Sequence, residues 1–350
     1  MVVDFWRNKR ILITGHTGFK GGWLAICLER LGAKVTGISL SPSTSPNLFG
    51  CANVASICQS QIQDIRDREA VAHFVQSVQP EIVFHLAAQP LVRASYQDPI
   101  ETYSTNVMGT VNLFNALRFV DSCKVVVVAT TDKVYKNNEW LYPYREDDVL
   151  GGHDPYSASK AACEIVISSY RDAFLKDRGL AVASARAGNV IGGGDWSSDR
   201  LIPDAIRAWQ SADTLEIRRP DSIRPWQHVL EPLHGYMSLA QKLWTEPALA
   251  GAYNFGPPTH EAATVRDVVN LAHEFYGQGD VHFSEGDHGP HEAGWLALET
   301  AKARQILNVS SRWSLSESIA HTMSWYREQH AGADARSLCV AQIEAYEASA

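Results

Sequence analysis

One short stretch constrains the chain more than any other. Gly15-His16-Thr17-Gly18-Phe19-Lys20-Gly21 follows the apolar run Arg10–Thr14 and precedes Leu24, Cys27, Leu28 and Leu31, which fall at i, i+3, i+4 and i+7. That order reads as a strand, a glycine turn and a helix with one buried stripe. Glycine lets the chain turn sharply and brings backbone amides close to an anion at the positive end of the helix, while a third glycine lets helix and strand pack closely.

The alternation continues through the first half. Apolar or β-branched runs at Lys34–Ser39, Ile57–Gln61, Glu81–His85, Lys124–Ala129 and Ala181–Ala185 are separated by stretches that read as helices at Asp67–Val78, Ile100–Phe119 and Pro155–Phe174. Strands alternating with helices specify an α/β protein of the Rossmann type, a doubly wound parallel sheet with ligands at the carboxyl ends of its strands. From Gly188 the texture changes to turns such as Gly192-Gly193-Gly194-Asp195 and Arg218-Arg219-Pro220-Asp221, with shorter helices at Ile202–Gln210 and Thr264–Tyr276. A length of 350 residues accommodates two lobes. The expected division is a dinucleotide-binding domain over 1–187 and a smaller C-terminal substrate lobe over 188–350, whose elements can interleave. Ser41–Pro46 reads as a loop beside the cofactor site.

Composition excludes several function classes. A formal charge of -8 leaves no basic face for general nucleic-acid binding. The six cysteines stand singly, with no Cys-x-x-Cys and no Cys/His grouping at metal-ligand spacing, so reduced thiols and no metal are expected. The run Ile11–Ile13 is too short for a signal peptide or a membrane span, which reads as a cytoplasmic protein without a membrane partner. His85 and His228 read as core or orienting histidines, and His282, His288 and His291 lack the pattern of a metal site. Trp6 and Trp23 read as core or interface bulk.

The residues that carry chemistry lie around the fifth strand. Tyr156 and Lys160 are four apart on a helix that Asp154-Pro155 can start, so they share a face. An ammonium beside a phenol stabilises the phenolate and makes tyrosine a usable base. Thr130-Thr131-Asp132-Lys133 closes the valine-rich strand and places a hydroxyl within reach of the same reacting oxygen. Leu86-Ala87-Ala88-Gln89, after the fourth strand, offers small residues against which a flat cofactor can lie. Asp64-Ile65 stands where it can touch an adenine edge or act as a helix N-terminal acid. The second strand ends Gly37-Ile38-Ser39-Leu40-Ser41, with neither a carboxylate nor an arginine, so NAD and NADP are not separated there.

With these motifs the chain resembles the extended short-chain dehydrogenase/reductase family, and within it the nucleotide-sugar 4,6-dehydratases, from about Arg10 to Trp325. The resemblance is carried by Gly15–Gly21, Thr131-Asp132-Lys133, Gly188-Asn189-Val190-Ile191-Gly192-Gly193-Gly194-Asp195-Trp196 and Arg224-Pro225-Trp226-Gln227-His228-Val229. Lysine at 133, in place of the glutamate of the dTDP- and GDP-sugar enzymes, points to the branch acting on CDP-glucose.

The resemblance implies a lyase that oxidises carbon 4 of the sugar, eliminates water across carbons 5 and 6, and returns the hydride to carbon 6 on a bound NAD. Thr131, Asp132, Lys133, Tyr156 and Lys160 would be catalytic. Asp132 would be the acid, and Lys133 either a neutral base at carbon 5 or a charge that stabilises an enolate. The implied cofactor contacts are Gly15, Thr17, Gly18, Phe19, Gly21, Asp64, Ile65, Leu86, Ala87, Ala88 and Gln89, with Tyr156 and Lys160. Asn189, Arg200, Leu201, Arg218, Arg224 and Asn254 would hold the nucleotide sugar, arginine suiting its pyrophosphate. A nucleotide-sugar 4-epimerase needs the Tyr–Lys pair without Asp132-Lys133, and a non-catalytic dinucleotide sensor needs none of these side chains. The helices Ile100–Phe119 and Pro155–Phe174, with Ala158, Ala161, Ala162 and Ile165, suggest pairing into a homodimer or homotetramer.

Overall fold

The computed structural model describes residues 3–284 and 294–349; His288 and His291 lie outside them. The strands are β1 (Arg10–Thr14), β2 (Lys34–Ser39), β3 (Gln59–Ile62), β4 (Ile82–His85), β5 (Val125–Ala129) and β6 (Ala181–Ala187), joined by Ala252–Phe255 from the second half of the chain. All seven form one sheet in the order Ala252–Phe255, β6, β5, β4, β1, β2, β3, and every neighbouring pair is parallel.

The two-residue period of a strand sends alternate side chains into two layers. Ile11, Ile13, Phe84, Val125 and Val127 enter one cluster, with Trp23 and Leu24 of helix Phe19–Arg30. Leu12, Val83, Val126 and Val128 enter the other, with Val71, Leu113 and Ile167 from helices Arg68–Val78, Gly109–Leu117 and Pro155–Tyr170. β1 lies between β4 and β2, so the crevice where the winding reverses opens at its carboxyl end.

Two expected helices are interrupted. In place of a continuous Ile100–Phe119, Pro99–Tyr103 passes through a π turn at Ser104–Met108 into Gly109–Leu117. The widened turn contains Asn106, whose side chain is bonded to Gln89 and Ser159. Pro155–Tyr170 likewise ends in a π turn, Arg171–Leu175.

Beyond β6, short strand pairs make the upper wall: Asn189–Ile191 with Trp226–His228, and Thr214–Ile217 with Asp280–Phe283. The glycine turn at 192–194 is held between two tryptophans. Trp23 Nε1 donates to the Gly193 carbonyl at 2.9 Å, and a Cβ on Gly193 would stand 2.0 Å from the Trp325 ring. The chain also returns to the sheet through Ala252–Phe255 and helix Leu230–Thr245. Helix Phe19–Arg30 carries more than a single buried stripe, because the C-terminal helix Ala335–Ala348 covers its outer side. Among the described residues no helix is long and apolar enough to cross a membrane.

Three histidines are buried as neutral rings. His85 joins the Thr14 and Thr110 hydroxyls at 2.6 and 3.0 Å, and burial pushes its ring down to about 3. Burial also pushes His228 down to about 3 and His16 to about 4. Above pH 6.5 these rings are neutral both folded and unfolded. Below it the unfolded chain gains protons that the fold refuses, so each ring costs about 1.4 kcal/mol of stability per pH unit until its folded value is reached. A denaturant midpoint should therefore fall steeply between pH 6.5 and 5; an unchanged midpoint would show that the fold accepts these protons.

Candidate functional site

A cleft of about 930 Å³ opens beyond the carboxyl ends of β4, β5 and β6. Thr131, Lys133 and Tyr156 lie on its sheet side. Asn189, Arg200, Leu201, Arg218 and Arg224 lie on the opposite wall. Residues far apart in sequence thus meet in one space.

Thr131 starts the short turn Asp132–Val134 with its side chain accepting from the Lys133 amide. Its hydroxyl donates to Asp132 Oδ1 at 2.9 Å, and its side chain stands close enough to the Tyr156 phenol to favour the phenolate. Lys133 Nζ ion-pairs with the same Asp132 oxygen at 3.1 Å. Asp132 is fully buried, and its Oδ2 has no hydrogen-bond partner among the described residues. The hydroxyl, carboxyl and amine therefore form one connected line, with the phenol beside its Thr131 end.

Lys160 behaves differently from the sequence expectation. Its Nζ donates to the Ala129 carbonyl at 3.1 Å. The Tyr156 phenol is pushed up to about 12, because burial outweighs the Thr131 hydrogen bond and the Arg200 charge. Burial also lowers the Lys160 amine, opposed by Cys163 and Glu164. In the ligand-free protein the phenol is thus held protonated, and a further positive charge is needed to bring it down.

The helix bearing Tyr156 is fixed by Asp154, which the sequence places at its start, and by Ser95, Asn106 and Ser159, which sequence reasoning missed. Asp154 caps it by accepting from the Ser157 amide at 2.9 Å. Ser95 Oγ accepts from the Tyr156 amide at 3.1 Å. Asn106 accepts from the Gln89 amide at 2.8 Å and donates to Ser159 Oγ at 2.8 Å, and Ser159 donates to the Tyr156 carbonyl at 2.7 Å. The loop after β4 is thereby tied to the tyrosine. Lys20 also lines the cleft. Burial, with the charges of Arg200 and Lys160, pushes its amine down to about 7 against Asp132 and Asp195. A lysine in the first turn of a helix with no other charge before Glu29 was the available signal for it.

The glycine loop fits a dinucleotide pyrophosphate. Gly15 has φ +82°, and a Cβ there would stand 2.7 Å from the Ala87 nitrogen. A Cβ on Gly21 would stand 2.1 Å from the Gly15 oxygen. Gly18 is the N-cap of helix Phe19–Arg30 without a side chain over the helix end. Thr17 Oγ1 binds Ser39 Oγ and the Leu40 carbonyl, each at 2.8 Å, so the loop is sewn to the end of β2. Phe19 turns toward Gly192.

Other residues expected at the site make contacts within the protein. Ile65 is buried against Gly109, because its side chain fills the layer below the sheet. Asp64 is not the helix acid, a place that Asp67 takes; it binds the Arg66 guanidinium at 2.6 and 2.8 Å. Gln89 spends its side chain on Leu91 and Thr102. Ala87 donates its amide to Thr14 at 3.1 Å, and Leu86 and Ala88 flank it. Asn254 is fully buried. Its amide is used by Tyr135, Tyr144 and Glu299, which corrects its expected direct contact with the sugar nucleotide. Arg200 is paired with Asp195 at 2.9 Å, and Arg224 is mostly buried beside the cleft. Among the described residues no Cys, His, Asp and Glu group could hold a metal ion.

Comparison with known proteins agrees with this fold. A solved UDP-glucose 4-epimerase from Thermotoga maritima, with UDP-glucose, superposes with a TM-score of 0.80 at 21% identity over 91% of this chain and 99% of that one. The MoeE5 protein in complex with UDP-glucose and NAD gives 0.75 at 25% identity, with the same 91% and 99% coverage. In sequence, a CDP-glucose 4,6-dehydratase of Salmonella typhimurium is 47% identical over 337 residues, 95% of this chain and 94% of that protein. The family model described as GDP-mannose 4,6 dehydratase matches residues 12–322, and the chain belongs to that family.

Proposed function

We propose that the chain converts CDP-glucose to CDP-4-keto-6-deoxyglucose, with NAD held in the glycine loop. The reading is supported by Tyr156, Thr131 and Lys133 facing one cleft, with buried Asp132 joining Thr131 to Lys133 behind them, and by the resemblance to a CDP-glucose 4,6-dehydratase. NAD, when bound, supplies the acceptor for the carbon-4 hydride and gives it back to carbon 6.

The chain's own residues handle the protons. Tyr156, beside Thr131 and brought to its phenolate by the positive charge of the bound cofactor, takes the proton of the 4-hydroxyl as the carbon becomes a ketone. The ketone acidifies the carbon 5 hydrogen. Lys133 and Asp132 begin as an ion pair, and one proton passed along their 3.1 Å contact makes both groups needed for elimination. Neutral Lys133 removes the carbon 5 proton and, as the ammonium, returns a proton to carbon 5 when the hydride reaches carbon 6. Asp132, now an acid, protonates the 6-hydroxyl from Oδ2, the oxygen without a partner, and water leaves. Arg200, Arg218 and Arg224 hold the pyrophosphate, with Asn189 and Leu201 beside them. A homodimer or homotetramer is supported by Ile100, Met108 and Ile165, which are 80%, 51% and 63% exposed. Ala161 instead packs inward against Val134 and Tyr135.

Incubation with CDP-glucose should give the alkaline absorbance of a 4-keto-6-deoxy sugar, with little from UDP-, dTDP- or GDP-linked glucose or mannose. Formation of UDP-galactose from UDP-glucose would replace this reading by a 4-epimerase, and dinucleotide binding without any turnover would replace it by a sensor. Tyr156→Phe should lose about 10²–10⁴-fold in kcat, measured as product formation; retention of most activity removes tyrosine from the base role. Lys133→Gln should still oxidise carbon 4 yet fail to exchange solvent deuterium into carbon 5, and normal exchange would show that another group is the base.

A further inference from the structure

Tyr156 and Lys160 meet the end of β5 on either side of one residue. Lys160 Nζ binds the carbonyl of Ala129, and the Tyr156 phenol stands beside Thr131, with which it lines the cleft. Between them stands Thr130, which is buried. Its amide donates to the Ala185 carbonyl at 2.9 Å, and its hydroxyl donates to Glu164 Oε1 at 2.6 Å.

Glu164 belongs to the same helix, one turn beyond Lys160 and two beyond Tyr156. Its carboxylate is saturated. Arg186 donates to both oxygens at 3.0 Å, and Ser184 Oγ donates to Oε2 at 2.6 Å. Glu164 and Arg186 side chains are each 4% exposed. Arg186 reaches on to the Tyr135 hydroxyl at 2.9 Å and the Glu146 carbonyl at 2.8 Å. The hydrogen bonds therefore run from the catalytic helix, through the residue between the two contact points, into β6 and the segment after Lys133.

We propose that Glu164, anchored by Arg186, is a positioning residue for this reaction: through the Thr130 hydroxyl it sets the register in which the helix presents Tyr156 and Lys160 to residues 129–131. The inference rests on the reaction proposed above, but the geometry can be read without it. A buried ion pair is often no more stabilising than apolar side chains of the same size. Its presence here, with a third bond to the strand end, fits a role in specifying one arrangement. The reacting groups tolerate little displacement, because proton transfer needs hydrogen-bond contact.

Removing the Thr130 hydroxyl breaks the link while leaving the Glu164–Arg186 pair intact. Thr130→Val should lower kcat about 10-fold or more, with KM and the thermal midpoint nearly unchanged, on whichever sugar nucleotide the unmodified enzyme turns over. Thr130→Ser should restore kcat. Equal kcat in the valine and unmodified proteins would overturn the inference, as would failure of serine to restore activity in a folded protein. Thr130→Ala makes the same comparison if valine does not fit. A ligand-free crystal structure of the valine variant separates this inference from the proposed reaction: the Tyr156 hydroxyl should be displaced from its place beside Thr131 and Lys160 Nζ from the Ala129 carbonyl, and an unmoved pair would sink the positioning role even if another substrate proved correct. Glu164→Gln is the less informative variant, since it leaves the Arg186 charge buried without its counter-charge.

Discussion

The rest of the structure depends on how closely two pieces of backbone approach at the start of the chain. Gly21 passes so near Gly15 that a side chain on it would overlap the Gly15 carbonyl, and Gly15 itself lies against the peptide of Ala87. That contact brings helix Phe19–Arg30 down onto β1 and puts the loop after β4 beside the glycine turn. The loop is in turn tied through Asn106 and Ser159 to the helix bearing Tyr156. Dinucleotide cradle and catalytic helix are thus parts of one braced unit.

Electrostatics within that unit are set by burial as much as by pairing. Lys160, Lys20 and Arg200 bring positive charge to a region that also contains Asp132 and Asp195. The surplus suits anionic ligands even though the chain is acidic overall. Burial holds the phenol protonated until such a ligand, with its cofactor, changes the local charge. Asp132 and Lys133 stand as a close pair in the same region, at 3.1 Å.

Much of this was legible in the residues. The glycine loop, the valine-rich β5 and the Tyr156–Lys160 spacing each have a local signature, and local signatures survive folding when helix, turn and strand preferences agree. Ala252–Phe255 had none, because Ala-Tyr-Asn-Phe carries a polar residue at its centre and becomes a strand only through β6. The π turn at 104–108 was hidden for a similar reason, since tertiary bonds to Asn106 accompany the widening. Glu164 reads in sequence as an ordinary helix acid four residues after Lys160, and only the third dimension shows Arg186 and Thr130 closing around it. The upward direction of Tyr156 escaped as well, because spacing reveals neighbours but not the loss of water.

The late return of Ala252–Phe255 to the sheet has a consequence for how such a chain can come together. β6 is an inner strand only after that segment has been made; until then its outer row of amides and carbonyls is unmatched. During synthesis the nucleotide-binding half therefore waits on residues that emerge much later. The two halves are interlaced, and cutting between them would release a sheet with a sticky open border instead of a self-sufficient module.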